Sequence, residues 1–524
     1  MSCFFKYFSA ILNIRLTKFA IDKNIFSKSQ LGFLEGSRTS DAHFILNNLI
    51  EYYCKVRGQH IFGCFVDFKK AFDSIPRDKL FQKLLDHNIN GKFYDCLVNM
   101  YSNDISCVKI GDTITPAFIT NQGVKQGCIL SPTLFNIFLS DIQSVLETTL
   151  CDPLQLKEGA KIGCIIWADD ILLMSKSEVG LQNMLSALKD YTVVNGMTIN
   201  AKKTQTIIFN KMGKHMRRNF YVGNDKLDST RQYKYLGFMV TPSGEINTGL
   251  QDLKNRAQRA FAKLKHKMGN SFRKHPLITL KLFRSLVEPI LLYASDFEGI
   301  LKLPKNYPVE NVFTSFCKQL LGVQKTSSND GVLLELGQIP LMILAKKNSI
   351  KNWQRMATGT NCSDIASDTY QVSVDEGLQW TENLKTLLSE IGLRQLFINK
   401  DPDSHMKAFQ RLQDIFHQTT FERIKSDDSR LRTYALCKTC PGFENYLEEI
   451  PSLKHRTALT KLRLSNHKLM IEKGRHTKPK TDKSLRFCPF CPNQVEDEKH
   501  FLIKCQTYRA KKKKMRGSGN PTDP

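Results

Sequence analysis

Ile61-Phe62-Gly63-Cys64-Phe65-Val66-Asp67 is a short apolar run that stops at a carboxylate, and its reading decides the fold. Six consecutive apolar or small residues suit a buried strand, so Asp67 stands at a strand end. Downstream, Lys161 to Ile166 and Ile171 to Met174 read as two more strands, which leaves Asp169 and Asp170 at or beside their hairpin turn. Helical signals lie between and after them. Asp78 to Leu85 puts Leu80, Phe81, Leu84 and Leu85 on one face, with Asp73 or Ser74 available to cap the turn before it. Ser106 to Ile110 and Ile114 to Ile119 read as strands around Gly111-Asp112. Gly123 to Gly127 is a glycine-bracketed loop, and Leu134 to Leu139 is helical. Leu181, Met184, Leu185, Leu188 and Tyr191 mark a helix that Gly196 ends. The expected class is α+β, a sheet with helices packed on one face.

Three stretches in this region carry chemistry in a fixed order. They are Val66-Asp67-Phe68-Lys69-Lys70-Ala71-Phe72-Asp73, then Gln126-Gly127-Cys128-Ile129-Leu130-Ser131-Pro132, then Trp167-Ala168-Asp169-Asp170. Phosphoryl transfer to a nucleoside triphosphate needs divalent ions bridging the attacking oxygen and the phosphates, hence carboxylates from separate strands converging on one point. Asp67 and the Asp169-Asp170 pair can supply them, and magnesium, which takes oxygen ligands and keeps several waters, requires no histidine. An isolated Asp-Asp pair would be ordinary turn chemistry. This pair is not isolated.

The three stretches resemble motifs A, B and C of reverse transcriptases. Asn195 to Thr204 resembles motif D, and Tyr235-Leu236-Gly237 resembles the primer grip of motif E. Ser29-Gln30-Leu31-Gly32-Phe33 and Gly36-Ser37-Arg38-Thr39 resemble the fingers segment of LINE-type, non-LTR retrotransposon enzymes. The resemblance implies a right-hand polymerase with partial fingers, palm and thumb, copying an RNA template into DNA from a DNA primer by target-primed reverse transcription. By the same resemblance Asp67 and Asp169 hold two Mg2+ ions with Asp170 adjacent, and the Phe68 carbonyl adds a ligand. Phe72 lies under the sugar and selects deoxynucleoside triphosphates. Gln126 and Gly127 line the base and template side, and Lys203 protonates the pyrophosphate leaving group. There are departures: Trp167 replaces the usual Phe or Tyr, and Leu34-Glu35 stands where basic residues are common. The chain also begins inside the fingers and has no counterpart of the endonuclease, so an amino-terminally truncated element or partial gene is expected. The alternative is a catalytically inactive, nucleic-acid-binding remnant.

Composition agrees with a polyanionic partner. Against 50 Asp+Glu stand 76 Lys+Arg, a formal charge of +26, which suits RNA template, DNA primer and target DNA. At 524 residues several domains are expected. No apolar run reaches the roughly 20 residues of a membrane span, and Met1 to Leu16 reads as an amphipathic helix. Fifteen scattered cysteines suggest free thiols in a reducing compartment, nuclear or cytoplasmic. The expected division is 1–245 for partial fingers and palm, 246–326 for a helical thumb, 327–484 for a helical region, 485–510 for a zinc knuckle and 511–524 for a basic disordered tail. Asn255 to Lys267 and Ile278 to Tyr293, the latter broken at Pro289, supply the thumb helices. Cys488, Cys491, His500 and Cys505 form a Cys-Cys-His-Cys set spaced for one structural Zn2+, four protein ligands leaving no open position. Cys437 and Cys440 have no second half at suitable spacing and read as free thiols.

Overall fold

The computed structural model describes residues 3–102, 104–156, 161–301, 307–401, 403–426, 429–431 and 433–510. The basic tail 511–524 lies outside them. The chain divides into two compact units: Met1–Asp252 with Asp296–Lys302 and Asn348–Ser404, and Leu253–Ser295 with Leu303–Lys347 and His405–Pro524.

The first unit is built on a five-stranded sheet. Its strands are β1 (Ile61–Val66), β2 (Cys164–Trp167), β3 (Asp170–Ser175), β4 (Gln205–Phe209) and β5 (Asp228–Ser229), in the order β5-β4-β1-β3-β2. The central β1 runs antiparallel to β4, Ile61 facing Phe209, and to β3, Val66 facing Ile171. Side chains alternate across the pleat. Cys64, Val66, Ile166 and Leu173 join one apolar core with the helices Arg77–Asp86, Ser131–Phe138 and Glu178–Val194. Ile61, Phe65, Leu172 and Ile207 join another with the helix Thr39–Ile50 and with Ile365, Ala366 and Val372 of the helix Asp364–Asp375. Helices therefore cover both faces, not the single face expected. The physical reason lies in the strand itself: five of the six residues of β1 are buried, and an uninterrupted apolar run is what a strand covered on both sides requires.

Other local expectations need correction. Asp73 and Ser74 do not cap the helix Arg77–Asp86. They lie in a separate short helix, Ala71–Ser74, and the cap position belongs to Pro76, which makes no side-chain cap bond. The amino-terminal helix forms over Cys3–Asp22, burying Leu12, Leu16 and Ala20, yet Phe4, Tyr7, Ile11 and Ile14 are exposed beside Lys6, Arg15 and Lys18, so its outer face is mixed rather than polar. The hairpin about Gly111-Asp112 is two short ladders, Ile105 facing Ile119 and Lys109 facing Ile114. Gly196 does follow the helix Glu178–Val194, with φ +68°, the left-handed conformation a helix end favours.

The second unit is mostly helical. Phe261, Phe272, Phe283 and Phe316 form its aromatic core, Phe283 stacking on Phe316 at 4.0 Å. The helix Pro276–Leu286 ends just before Glu288–Leu291, which carries Pro289 in its first turn, as the proline requires. Deeper in, the buried Glu335 carboxylate accepts from Arg463 Nε at 2.8 Å, and Arg463 also reaches Glu444 at 2.7 Å. Glu335 is thus a buried charge with a charged, hydrogen-bonded partner, without which it would be expensive to bury. Among the described residues no helix is long and apolar enough to cross a membrane.

Candidate active site

The antiparallel register brings the three aspartates together. Val66 faces Ile171 across β1 and β3, so Asp67, one residue further on, comes beside Asp170. Trp167 pairs with Asp170, leaving Ala168-Asp169 as a two-residue turn, with Ala168 at φ +56°. That conformation is costly for a residue with a Cβ and persists only when its surroundings enforce it. The segment Ser29–Gly32 does so. Leu31 N donates to Ile166 O and Ile166 N donates to Ser29 O, each at 2.8 Å, and Gln30 Oε1 accepts from the amides of both Ala168 (3.1 Å) and Gly32 (2.8 Å). A Cβ on Gly32 would meet the Ala168 nitrogen at 2.3 Å. Burial, then the charge of Asp67, raises the Asp169 carboxyl above the ordinary range, while burial followed by the charges of Asp169 and Asp67 raises Asp170 to about 6. Carboxylates that resist ionising together are a donor set suited to a hard divalent cation, which cancels the repulsion.

Residues 198–204 clasp the end of β1. Lys69 donates its amide to Thr198 O at 2.9 Å, and Phe68 bridges Ile199. Asn200 donates its amide to Asp67 O at 2.7 Å and its side-chain Nδ2 to Asp67 Oδ2 at 2.9 Å, while Asp67 N donates to Thr204 Oγ1 at 3.2 Å. Lys203 Nζ lies 4.0 Å from the same Oδ2, with 71% of its side chain exposed.

Phe72 stacks on Phe135 at 4.5 Å and meets the edge of Phe33 at 6.2 Å, which fixes the orientation of its ring. Gln126 donates to Asp73 Oδ1 at 2.8 Å, tying the loop before Ser131 to the segment after β1, and Gly127 turns that loop at φ +79°. The main chain makes the same connection, Val124 N donating to Phe72 O at 2.9 Å.

Tyr235, Leu236 and Gly237 occupy a hairpin between β6 (Tyr233–Tyr235) and β7 (Phe238–Val240). Tyr235 faces Phe238, and the turn residues Leu236 and Gly237 have φ +41° and +81°. A left-handed leucine is unusual and marks an enforced turn. Tyr235 is buried, and Tyr233 stacks on Phe65 at 4.1 Å. Burial and the nearby Asp170 raise both phenols, Tyr233 to about 12. His43 backs this hairpin: its Nε2 lies 3.4 Å from Leu236 O, its ring stacks on Phe297 at 5.6 Å, and burial pushes it down to about 4. His43 and Asn200 carry no motif of their own type. The only sequence signal for them was adjacency, Asn200 inside the lysine-bearing segment and His43 on an apolar helix.

A second cluster lies in the other unit. The ligand atoms of Cys488, Cys491, His500 and Cys505 all fall within 4.8 Å of one another, with Cys491 Sγ 3.6 Å from Cys505 Sγ. His500 Nε2 is buried with no hydrogen-bond partner, an orphan that a tetrahedral ion would satisfy. The residues therefore fit a zinc ion. The cluster is anchored through Glu496, which accepts from Met470 N at 2.6 Å, and Glu498, 2.7 Å from His467 Nε2. Cys437 and Cys440 are exposed free thiols outside it.

Residues 1–240 match the family "reverse transcriptase (RNA-dependent DNA polymerase)". Among similar proteins, the Pol polyprotein of the type-2 retrotransposable element R2DM of Drosophila melanogaster is 28% identical over 247 residues, covering 44% of this chain and 22% of that protein. The RNA-directed DNA polymerase from mobile element jockey of Drosophila funebris is 25% identical over 297 residues, 55% of this chain and 31% of that protein. The chain thus matches under a third of the length of either relative. Among solved structures, telomerase from Candida albicans in complex with the TWJ fragment of telomeric RNA superposes with TM-score 0.35 at 14% identity. That superposition covers 70% of this chain and 54% of the telomerase chain, a likeness too slight to build on.

Proposed function

We propose, from the premise that residues 1–240 are a reverse transcriptase domain of the kind found in non-LTR retrotransposon polyproteins, that this chain is an RNA-directed DNA polymerase. Its substrates are an RNA template, a DNA primer, target DNA and deoxynucleoside triphosphates. One observation carries the proposal: the antiparallel register brings Asp67, at the end of β1, beside Asp169-Asp170 at the β2–β3 turn, so that carboxylates from two strands converge on one point. The inactive-remnant alternative gains nothing from such a set, since carboxylates gathered at one point repel one another until a cation or a proton joins them.

In this reading the sheet is the palm of a right hand, residues 1–245 include partial fingers, and 246–326 are the thumb. Asp67, Asp169 and Asp170 hold two Mg2+ ions, which when bound activate the primer 3′-hydroxyl and neutralise the triphosphate. The remaining work falls to the chain. Phe72, held by Phe135, lies under the sugar and excludes a 2′-hydroxyl. Gln126 and Gly127 line the templating side, and the Phe68 carbonyl adds to the metal donors. Tyr235, Leu236 and Gly237 grip the primer, the rigid turn being supported from behind by His43. Lys203, exposed at the rim, donates a proton to pyrophosphate. Cys488, Cys491, His500 and Cys505 hold one structural Zn2+. The net charge of +26 serves nucleic-acid phosphates, and the free thiols fit a nuclear or cytoplasmic location.

The test is extension of a DNA primer on an RNA template by the full chain, with and without magnesium. Magnesium-dependent, template-directed extension is expected. RNA binding that weakens steeply with salt while extension stays at background would overturn it in favour of the remnant.

A further inference from the structure

The donor set of Asp67 has two oxygens, and the structure treats them differently. Oδ2 accepts from Asn200 Nδ2 at 2.9 Å and has Lys203 Nζ at 4.0 Å. Because an ionised carboxylate only accepts, the amide must turn its NH2 toward it, which fixes the orientation of Asn200. The backbone of Asn200 is itself fixed. Its amide donates to Asp67 O at 2.7 Å, and its carbonyl accepts from Lys203 N at 3.0 Å and Thr204 N at 2.9 Å. On the other side, the buried Thr204 accepts from Asp67 N at 3.2 Å. Asp67 is therefore held at its nitrogen, its carbonyl and one carboxylate oxygen by a single short segment. Among the described residues both side-chain neighbours of the Asp67 carboxylate, Asn200 and Lys203, lie on Oδ2 and none on Oδ1.

We infer that Asn200 is a positioning residue: it locks Asp67 in one rotamer by occupying Oδ2, so that Oδ1 alone is presented to the divalent cation beside Asp170. This deepens the polymerase reading and rests on it. The arrangement explains why the lysine-bearing segment is tied to the first aspartate rather than to the Asp169-Asp170 turn. The turn is already braced by Gln30 and Gly32, whereas Asp67 lies just past the end of β1, and its side chain has no brace of that kind. A carboxylate that is free to rotate binds a cation more weakly, because its ordering then falls on the binding step. The main-chain bonds do not involve the side chain of Asn200, so truncating it removes the rotamer lock and leaves the clasp.

The experiment measures Mn2+ binding to the full chain by electron paramagnetic resonance, for wild type, Asn200→Ala, Asn200→Gln and Asp169→Asn, beside primer-extension kinetics. Asn200→Ala is expected to weaken Mn2+ binding about tenfold, the scale of a hydrogen bond to a charged group. The magnesium concentration for half-maximal extension rises to match, while KM for deoxynucleotide at saturating magnesium stays within about twofold. Asn200→Gln, which keeps a reaching amide, recovers most of the affinity. A merely structural role would move melting temperature and KM along with the metal affinity, which would overturn the inference. So would unchanged Mn2+ binding in Asn200→Ala while Asp169→Asn loses it. Equal binding by Asp169→Asn and wild type would instead sink the cation site itself. Should Asn200→Ala not fold, Asn200→Ser, too short to reach Asp67, is read by the same criteria.

Discussion

His43 ties protonation to the stability of the first unit in a way that can be calculated. Its imidazole is buried among Phe297, Tyr235 and Phe238, at centroid distances of 5.6, 5.6 and 5.7 Å, and burial lowers it from 6.5 to about 4. The unfolded chain therefore takes up a proton that the folded one refuses. Stability from this group is complete above about pH 6.5 and is lost as the pH falls toward the folded value. Integrated from about pH 7 to about pH 5, one group with these two values removes about 2 kcal/mol, or a fall of about 3 °C in melting temperature for a unit of this size. Replacing the ring by another of similar size, His43→Phe, removes the titration and keeps the packing. Thermal unfolding of both proteins across this range isolates the effect, since every other group titrates in both. Asp170, raised to about 6, works in the opposite direction: its contribution grows as the pH falls and is lost as the pH rises through 6. That too cancels in the difference. The His43→Phe curve is expected to be flatter by about 2 kcal/mol. Parallel curves would refute the buried, neutral imidazole behind the Leu236-Gly237 turn.

Further outcomes follow from single contacts. Gly32→Ala drives a methyl into the Ala168 nitrogen, so a loss of about 1–3 kcal/mol and a steep fall in extension are expected, with secondary structure intact by circular dichroism; wild-type activity would refute the brace. If Phe72 lies under the sugar as proposed, Phe72→Ala should raise ribonucleotide incorporation relative to deoxynucleotide by about tenfold or more, and an unchanged ratio would remove Phe72 from the pocket. Purified protein should carry about one zinc per chain, lost in Cys488→Ser and kept in Cys437→Ser; a folded, metal-free protein would rule the site out.

Some of this was legible in the sequence and some was not. The strand 61–66 and the hairpin bearing Asp169 and Asp170 were readable because apolar runs ended at carboxylates, a local pattern that tertiary context did not override. The Cys-Cys-His-Cys set was readable because spacing alone limits where thiolates and an imidazole can meet. The second face of the sheet was missed, although the unbroken apolar run of β1 was its sign, because the helices covering it come from positions as distant as Thr39–Ile50 and Asp364–Asp375. Asp73 was read as a cap because its side-chain type favours caps, but its carboxylate is engaged by Gln126 across the loop. Asn200 and Gln30 lay inside segments whose motifs stood out, but their individual roles were not legible for the same reason: each acts through a hydrogen bond to a partner more than a hundred residues away.

The central claim is that Asp67 and Asp169 serve one cation site, and extension rates of Asp67→Asn, Asp169→Asn and the double variant test it most directly. If both carboxylates hold the same ions, each single change should cost about a thousandfold or more, with the double no worse than the poorer single, since groups acting as a unit are not additive. Extension within about tenfold of wild type by either single variant would contradict it.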